Sequence, residues 1–129
     1  MENDEYVSPM HGMNDEEKKD YIVNQAMSII MNAGDARNFA AEARDLINEG
    51  KYKEAEEKIK EAEKVQTKAH VTQTDMIQGD IRGGDEAMPY NVLFAHAQDT
   101  LMTIQVEINL TRSMLKMAEA FEKRFVTKE

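Results

Sequence analysis

The stretch that decides the fold is NVLFAHAQDTLMTIQVEINLTRSMLKM, residues 91–117. Its apolar residues recur every three or four positions, which predicts a long amphipathic helix. One apolar seam contains Phe94, Leu101, Ile104, Ile108 and Leu115. A second seam lies on nearly the opposite side, because each residue turns a helix by about 100°, and it contains Thr103, Val106, Leu110, Met114 and Met117. The first seam can face the rest of the chain, so the second predicts a partner helix, most simply from another copy.

Two further helices are predicted upstream of this one. The first begins after the capping residue Asn14 and ends before Gly50, and its apolar residues keep a spacing of three or four. Gly34 lies inside it, which predicts either a bend or the close approach of another backbone. The second helix runs from about Tyr52 to Gly79, with a charged face that suits solvent.

The third helix is predicted from about Tyr90 to Phe125, after the loop-like stretch GDIRGGDEAMP at residues 79–89. Abundant Ala, Glu, Lys and Met with only two prolines favour helices throughout. We therefore predict an all-α fold, a three-helix up-down-up antiparallel bundle. Residues 14–129 form this domain, and residues 1–13, MENDEYVSPMHGM, are expected to form a flexible N-terminal tail.

Composition excludes several classes of function. The formal net charge of -9 repels phosphates, so we expect no nucleic-acid partner and instead protein partners with basic faces. The chain has no cysteine, which excludes disulfides, zinc thiolate sites and thiol nucleophiles. No apolar run is long enough to span a bilayer, and the acidic start lacks the features of a signal peptide. We expect a cytoplasmic protein without direct membrane insertion.

The ionisable pair His96 and Asp99 interrupts the apolar run of the third helix. A histidine in such a place can simply hydrogen-bond a neighbour, and His with Asp three residues later can also hold a metal. A di-iron bundle would need Glu-x-x-His pairs, and Leu93 stands where the glutamate would be. No serine has the surroundings of a hydrolase nucleophile. Transfer of a phosphoryl group through the imidazole also suits the pair, provided that polar groups surround the ring.

Polar side chains on the second helix are candidates for that surrounding. The segment AHVTQTD, residues 69–75, carries His70, Gln73 and Thr74, and the third helix adds Gln98 and Thr100. Each of these residues can equally be a solvent-facing polar side chain. The sequence therefore leaves both interpretations open, a polar surrounding for His96 and an ordinary solvated surface.

Four segments give the chain a family resemblance. They are NAGDARNFAAEA at 32–43, INEGKYKEAEE at 47–57, AHVTQTDMIQGD at 69–80 and LFAHAQDTLMT at 93–103. Together they resemble the enzyme IIA proteins of the lactose and cellobiose/chitobiose branch of the bacterial sugar phosphotransferase system. The resemblance spans about residues 16–123 and leaves the N-terminal tail outside.

The resemblance implies a function and an assembly. Such proteins accept a phosphoryl group from the carrier HPr on a histidine and pass it to a cysteine of enzyme IIB during uptake of a β-disaccharide such as cellobiose, chitobiose or lactose. It implies a homotrimer of three-helix subunits with a nine-helix core. The alternative is a protein of another functional class, a non-catalytic helical interaction or regulatory protein with the same fold.

The resemblance also assigns site residues. His96 aligns with the phosphorylated histidine, and Asp99 with the aspartate that meets its copies at the trimer axis around a divalent cation, for which Mg2+ is expected. His70, Gln73 and Gln98 match polar positions near the active histidine and are expected to support it. The chain departs from many relatives at Thr100, where they carry a second histidine, so any contribution of that imidazole is absent.

Overall fold

The computed structural model describes residues 5–125, and within them the chain forms three long helices and no strand. Helix α1 spans Asp15–Asn48, α2 spans Tyr52–Arg82 and α3 spans Val92–Phe125, with one turn of 3-10 helix at Gly84–Glu86. The predicted all-α class and three-helix bundle are confirmed.

Contacts between side chains fix the direction of each helix. Arg37 and Arg44 of α1 bond to Glu107 and Thr111 of α3, so α1 and α3 run in the same direction. Helix α2 runs the opposite way. The residues that contact each other occur in opposite order along α2 and α3. Gln66 bonds to the Leu101 carbonyl, whereas Glu56 and Glu63, which come earlier in α2, bond to Arg112, which comes later in α3. The arrangement is the expected up-down-up bundle.

Alanines form much of the contact between α1 and α2. Small side chains at a helix contact let the two backbones lie close together, because the interaxial distance depends on the side chains between them. The fully buried alanines are Ala26, Ala33, Ala36, Ala40 and Ala43 on α1, and Ala55, Ala62 and Ala69 on α2. Helix α3 supplies the larger core side chains Phe94, Leu101, Ile104, Ile108 and Leu115. The first predicted seam of α3 is therefore the seam that faces its own chain.

Two predicted helix boundaries were wrong by a few residues. Helix α2 continues past Gly79 to Arg82, because the glycine keeps a helical backbone and the chain turns only at Gly83, where φ is +76°. Helix α3 begins at Val92 rather than Tyr90. Its first turn is capped by Asn91, whose Oδ1 accepts from the Phe94 N–H at 3.0 Å.

Gly34 shows no close approach of another backbone among the described residues, and the alternative of a bend in α1 stays a prediction. A Cβ built on it meets no atom within 4 Å, and α1 is continuous through it. Gly79, in contrast, packs so closely against Glu86 that a Cβ would collide with the carboxylate. The close approach that a helical glycine permits occurs at Gly79 of α2.

The N-terminal segment has packed contacts that the sequence did not predict. Met10 is only 3% exposed and joins the main apolar cluster, and Tyr6 bonds to Glu86 after α2. His11 is exposed, and its Nδ1 lies 3.1 Å from Asp85 Oδ2. Residues 1–4 lie outside the described residues. The expectation of a flexible tail overlooked these contacts because nothing in the segment has a helical period, and its mobility in solution stays a prediction.

Candidate functional site

His96 lies on the exposed side of α3, just after the first turn. Within residues 5–125 its imidazole makes no hydrogen bond, while its backbone carbonyl accepts from the Thr100 hydroxyl at 2.8 Å. The Thr100 hydroxyl is therefore turned to the helix backbone. The His96 side chain is therefore exposed and has no hydrogen-bond partner among the described residues.

The wall beside His96 is the outer surface of α1. Glu107, which bonds Arg37 of α1 at 3.3 Å, follows His96 by eleven residues, close to three helical turns, so the two side chains share one side of α3. On α1, Gly34 and Met27 precede Arg37 by three and ten residues, so they lie about 60° and 80° from it around that helix, towards the outer surface. His96 thus lies on the side of α3 that faces α1, and we call the surface between it and the outer side of α1 the His96 groove.

This groove contains exposed methionines that the sequence analysis missed. Met27 is 43% exposed, and Met31, on the outer side of α1, is 66% exposed. They were missed because both fall outside the apolar stripe that predicts the buried side of α1. A large apolar side chain outside such a stripe is the sequence feature that could have identified them. Methionine side chains off the core stripe form flexible apolar contact surfaces. The groove therefore combines an accessible imidazole with an adaptable apolar surface.

The polar residues of α2 lie on the other side of α3. Glu63 of α2 bonds Arg112 of α3, and these ion pairs with Glu63 and Glu56 raise the pKa of the Arg112 guanidinium. His70 follows Glu63 by seven residues and Gln98 precedes Arg112 by fourteen, so both share this side. His96 is on the opposite side of α3. The predicted meeting of His70 and Gln98 with His96 does not occur within one chain.

His70 and Gln73 have different surroundings on α2. His70 is exposed, and its Nδ1 lies 3.4 Å from the Thr74 hydroxyl of the same helix. Gln73 is half-buried, and its Oε1 is buried without a hydrogen-bond partner among the described residues. Gln73 follows Gln66 by seven residues, and Gln66 donates to the Leu101 carbonyl at 2.8 Å. Gln73 therefore belongs to the interior contact between α2 and α3 and does not line the His96 groove.

Asp99 lies one turn from His96, on the outward face of α3, and is exposed. Its carbonyl accepts from the Thr103 hydroxyl at 2.7 Å, and no ion pair to its carboxylate occurs in the described part of the chain. The same face carries the second predicted seam, with Val106 57%, Leu110 54% and Met117 61% exposed. A continuous apolar stripe headed by a free carboxylate thus remains uncovered in the single chain.

The donor set for a metal ion is incomplete in one chain. Across residues 5–125 no group of three His, Cys, Asp or Glu side chains is placed to hold a metal ion. Asp99 supplies one accessible carboxylate, and carboxylate oxygen is the ligand type that hard divalent ions prefer. A metal ion at Asp99 would therefore need further ligands from outside the described residues of one chain.

Comparison with known proteins gives the family. Residues 24–119 match the sequence profile of the lactose/cellobiose specific IIA subunit of the PTS, the sugar phosphotransferase system. The chain belongs to this family. It is therefore an EIIA component, a phosphotransferase component that carries a phosphoryl group.

Individual relatives agree with this family. The N,N'-diacetylchitobiose-specific EIIA component of the PTS from Escherichia coli K12 is 30% identical over 93 residues, which cover 72% of this chain and 78% of the relative. The crystal structure of PtcA from S. mutans is 36% identical, with a TM-score of 0.73, and the match covers 83% of this chain and 99% of that one.

A further solved structure shows an EIIA with a partner. The IIA(Chitobiose)–HPr complex of the N,N'-diacetylchitobiose branch of the Escherichia coli phosphotransferase system is 27% identical, with a TM-score of 0.69. The match covers 78% of this EIIA chain and 96% of that one. Within residues 5–125 of this EIIA, none of the helices has the length and apolarity needed to cross a membrane.

Proposed function

We propose that this EIIA is transiently phosphorylated on His96, with HPr as the donor and a cysteine of enzyme IIB as the acceptor, during uptake of a β-disaccharide of the cellobiose, chitobiose or lactose type. The observation that carries the proposal is the His96 imidazole, which is exposed on the side of α3 facing α1 and makes no hydrogen bond among the described residues. The family match and the solved IIA(Chitobiose)–HPr complex support HPr as the donor.

The chemistry consists of two displacements at phosphorus. A neutral His96 nitrogen attacks the phosphoryl group of phospho-HPr, so an N–P bond to His96 forms while the N–P bond to the donor histidine breaks. In the second step a thiolate of enzyme IIB attacks, an S–P bond forms and the His96 nitrogen leaves. The imidazole must be neutral at the first step, because a protonated nitrogen has no lone pair to attack phosphorus.

Exposed methionines on α1 suit contact with sequential partners. Met27 and Met31 give the outer side of α1 apolar, flexible side chains that can adapt to two different proteins. The net charge of -9 favours partners whose docking faces are basic. HPr and enzyme IIB would then approach the same groove in turn.

The proposal includes a homotrimer built on the outward face of α3. A stripe of exposed apolar side chains along a helix is rarely left uncovered by monomeric soluble proteins. Copies that associate through Val106, Leu110 and Met117 would cover it and bring their Asp99 carboxylates together. Such association is also how His70 of α2 in one copy can approach His96 of another, since one chain holds them on opposite sides of α3.

A divalent cation, for which Mg2+ is expected, is proposed at that meeting of carboxylates. Asp99 would hold it, one oxygen ligand from each chain, and its chemistry would be to neutralise charges that repel one another. No step of phosphoryl transfer passes through this ion. Its proposed role is in assembly.

Phosphorylation of variants tests the function. The wild type, His96→Ala, His70→Ala and His11→Ala are incubated with phosphoenolpyruvate, enzyme I and HPr, and acid-labile phosphate on each protein is measured. We expect no phosphate on His96→Ala, slower transfer for His70→Ala, and acid-labile phosphate still formed on His11→Ala, whose imidazole lies at Asp85. Phosphate on His96→Ala would contradict the assignment, and none on the wild type would favour a non-catalytic interaction protein.

A further inference from the structure

The N-terminal segment contacts the end of α2 through Tyr6. The Tyr6 hydroxyl donates to Glu86 Oε2 at 3.1 Å, and Arg82 Nη2 donates to the same hydroxyl at 3.1 Å. The Arg82 guanidinium also lies over the Tyr6 ring, 4.5 Å from its centroid, in a cation–π arrangement. The segment preceding the family match is therefore tied to the bundle by both the ring and the hydroxyl of one residue.

Two more residues hold the same segment in place. Met10 is 3% exposed within the main apolar cluster, and a turn closed by the His11 N–H and the Ser8 carbonyl sets its direction. His11 then lies 3.1 Å from Asp85, which also has Lys18 of α1 at 3.7 Å. Residues 6–11 thus form a strap with a buried anchor and contacts at both ends.

The strap holds residues of the connection between α2 and α3, which spans 83–91. Glu86 in this connection is only 8% exposed, and its carboxylate accepts from Arg82 at 3.0 and 3.3 Å as well as from Tyr6. These bonds keep it ionised and lower its pKa. Among the described residues, the hydrogen bonds to this buried carboxylate come from Arg82 of α2 and Tyr6 of the strap.

The rest of the connection is held by few contacts. The Met88 N–H donates to Asp80 Oδ1 at 2.6 Å, and Met88 packs partly against the core. Between the first turns of α1 and residues 87–91 lies a hollow of about 510 Å³, and Tyr90 beside it is 85% exposed. Because packing is thin there, the contacts at Asp85 and Glu86 carry much of the restraint.

The connection ends where α3 begins, close to the proposed phosphoacceptor. Asn91 caps α3 through its bond to the Phe94 N–H, and His96 follows Asn91 by five residues. A connection that moves would loosen this cap and the turn that carries His96. Phosphoryl transfer is sensitive to such displacement because the reacting atoms must be held in line.

We infer that residues 6–11 act as a strap that fixes the 83–91 connection and the first turn of α3, and that Tyr6 is a positioning residue for phosphoryl transfer. The second part rests on the proposed role of His96, which Tyr6 does not contact. The first part concerns the fold of this chain alone.

Amide hydrogen exchange and transfer kinetics test the inference on the full chain. Tyr6→Ala removes ring and hydroxyl, Tyr6→Phe removes only the hydroxyl, and Val7→Ala is the matched control, since Val7 is 66% exposed in the same segment. In Tyr6→Ala we expect faster exchange at residues 84–95 with unchanged exchange in the α2 core at 59–69. Transfer from phospho-HPr should fall by roughly three- to tenfold, the effect of a small misplacement, with Tyr6→Phe intermediate and Val7→Ala unchanged.

The possible results distinguish the strap from the positioning role of Tyr6. Exchange at 84–95 that is unchanged in Tyr6→Ala, or equally faster in Val7→Ala, would overturn the strap. Faster exchange there with a normal transfer rate would overturn the positioning role alone. The proposed function fails independently, when His96→Ala still accepts phosphate, and that result would leave the exchange data to decide the strap.

Discussion

Glu86 is a carboxylate whose ionisation is coupled to the fold at the end of the bundle. It is buried at the end of the bundle, and bonds from Arg82 and the Tyr6 hydroxyl hold its pKa below the ordinary value of 4.5. A group with a lowered folded-state pKa stabilises the protein above its unfolded pKa and loses that contribution as the pH falls through the folded one. Acid should therefore loosen this end of the bundle.

Urea unfolding at a series of pH values checks this expectation. We expect Glu86→Gln to be less stable than the wild type at pH 7, and to lose less stability as the pH falls below 4.5. Glu61→Gln is the control, because Glu61 is exposed on α2 and no hydrogen bond engages its side chain among the described residues. Equal slopes for wild type and Glu86→Gln below that pH would show that Glu86 does not couple folding to protonation.

At the level of secondary-structure elements, α1 contains a glycine for which the described chain shows neither a conformational nor a packing requirement. Gly34 lies inside a helix of 34 residues, has no positive φ, and has open space where a Cβ would be. A glycine inside a helix costs about 1 kcal/mol relative to alanine, because its unfolded backbone has more freedom. Gly34 also borders the groove that faces His96, where a docking partner would come close.

The variant Gly34→Ala tests whether the glycine at position 34 only destabilises α1 or makes room for the backbone of another molecule. We expect the free energy of unfolding in urea to rise by up to about 1 kcal/mol. Gly50→Ala is the control and should destabilise the protein, because Gly50 has a φ of +76° at the turn between α1 and α2. A loss of stability in Gly34→Ala would mean that another backbone, such as that of a second copy, packs against this glycine.

For the whole molecule, the outward face of α3 determines whether the chain assembles. Val106, Leu110 and Met117 are more than half exposed, and Asp99 heads the same face. Carboxylates that converge in an apolar interface repel strongly unless a cation or shared protons neutralise them. Assembly of this EIIA should therefore depend on the residue at position 99.

Sedimentation of the wild type and Asp99 variants, with and without a chelator, checks the assembly. We expect a wild-type trimer that a chelator weakens, and an Asp99→Leu trimer that is intact or more stable, because packed apolar groups often replace buried ions without loss. Asp99→Lys should dissociate it. Asp35→Lys, a charge reversal at an exposed position of α1, is the control. A monomeric wild type, or a trimer indifferent to Asp99→Lys, would contradict the proposed interface.

The sequence by itself determined the helices, the buried seam of α3 and the family. Helix period and capping residues are local properties, so Asn14 and Gly50 mark the ends of α1 to within a residue, and the motif around His96 identified the EIIA family before any coordinates. The tertiary structure alone decided which groups meet. It showed that His70 and His96 lie on opposite sides of α3, that Met27 is exposed on α1, and that Tyr6 reaches Glu86 across 80 residues. Those contacts depend on how the helices are rotated against each other, and that rotation is set by the packing of the whole core.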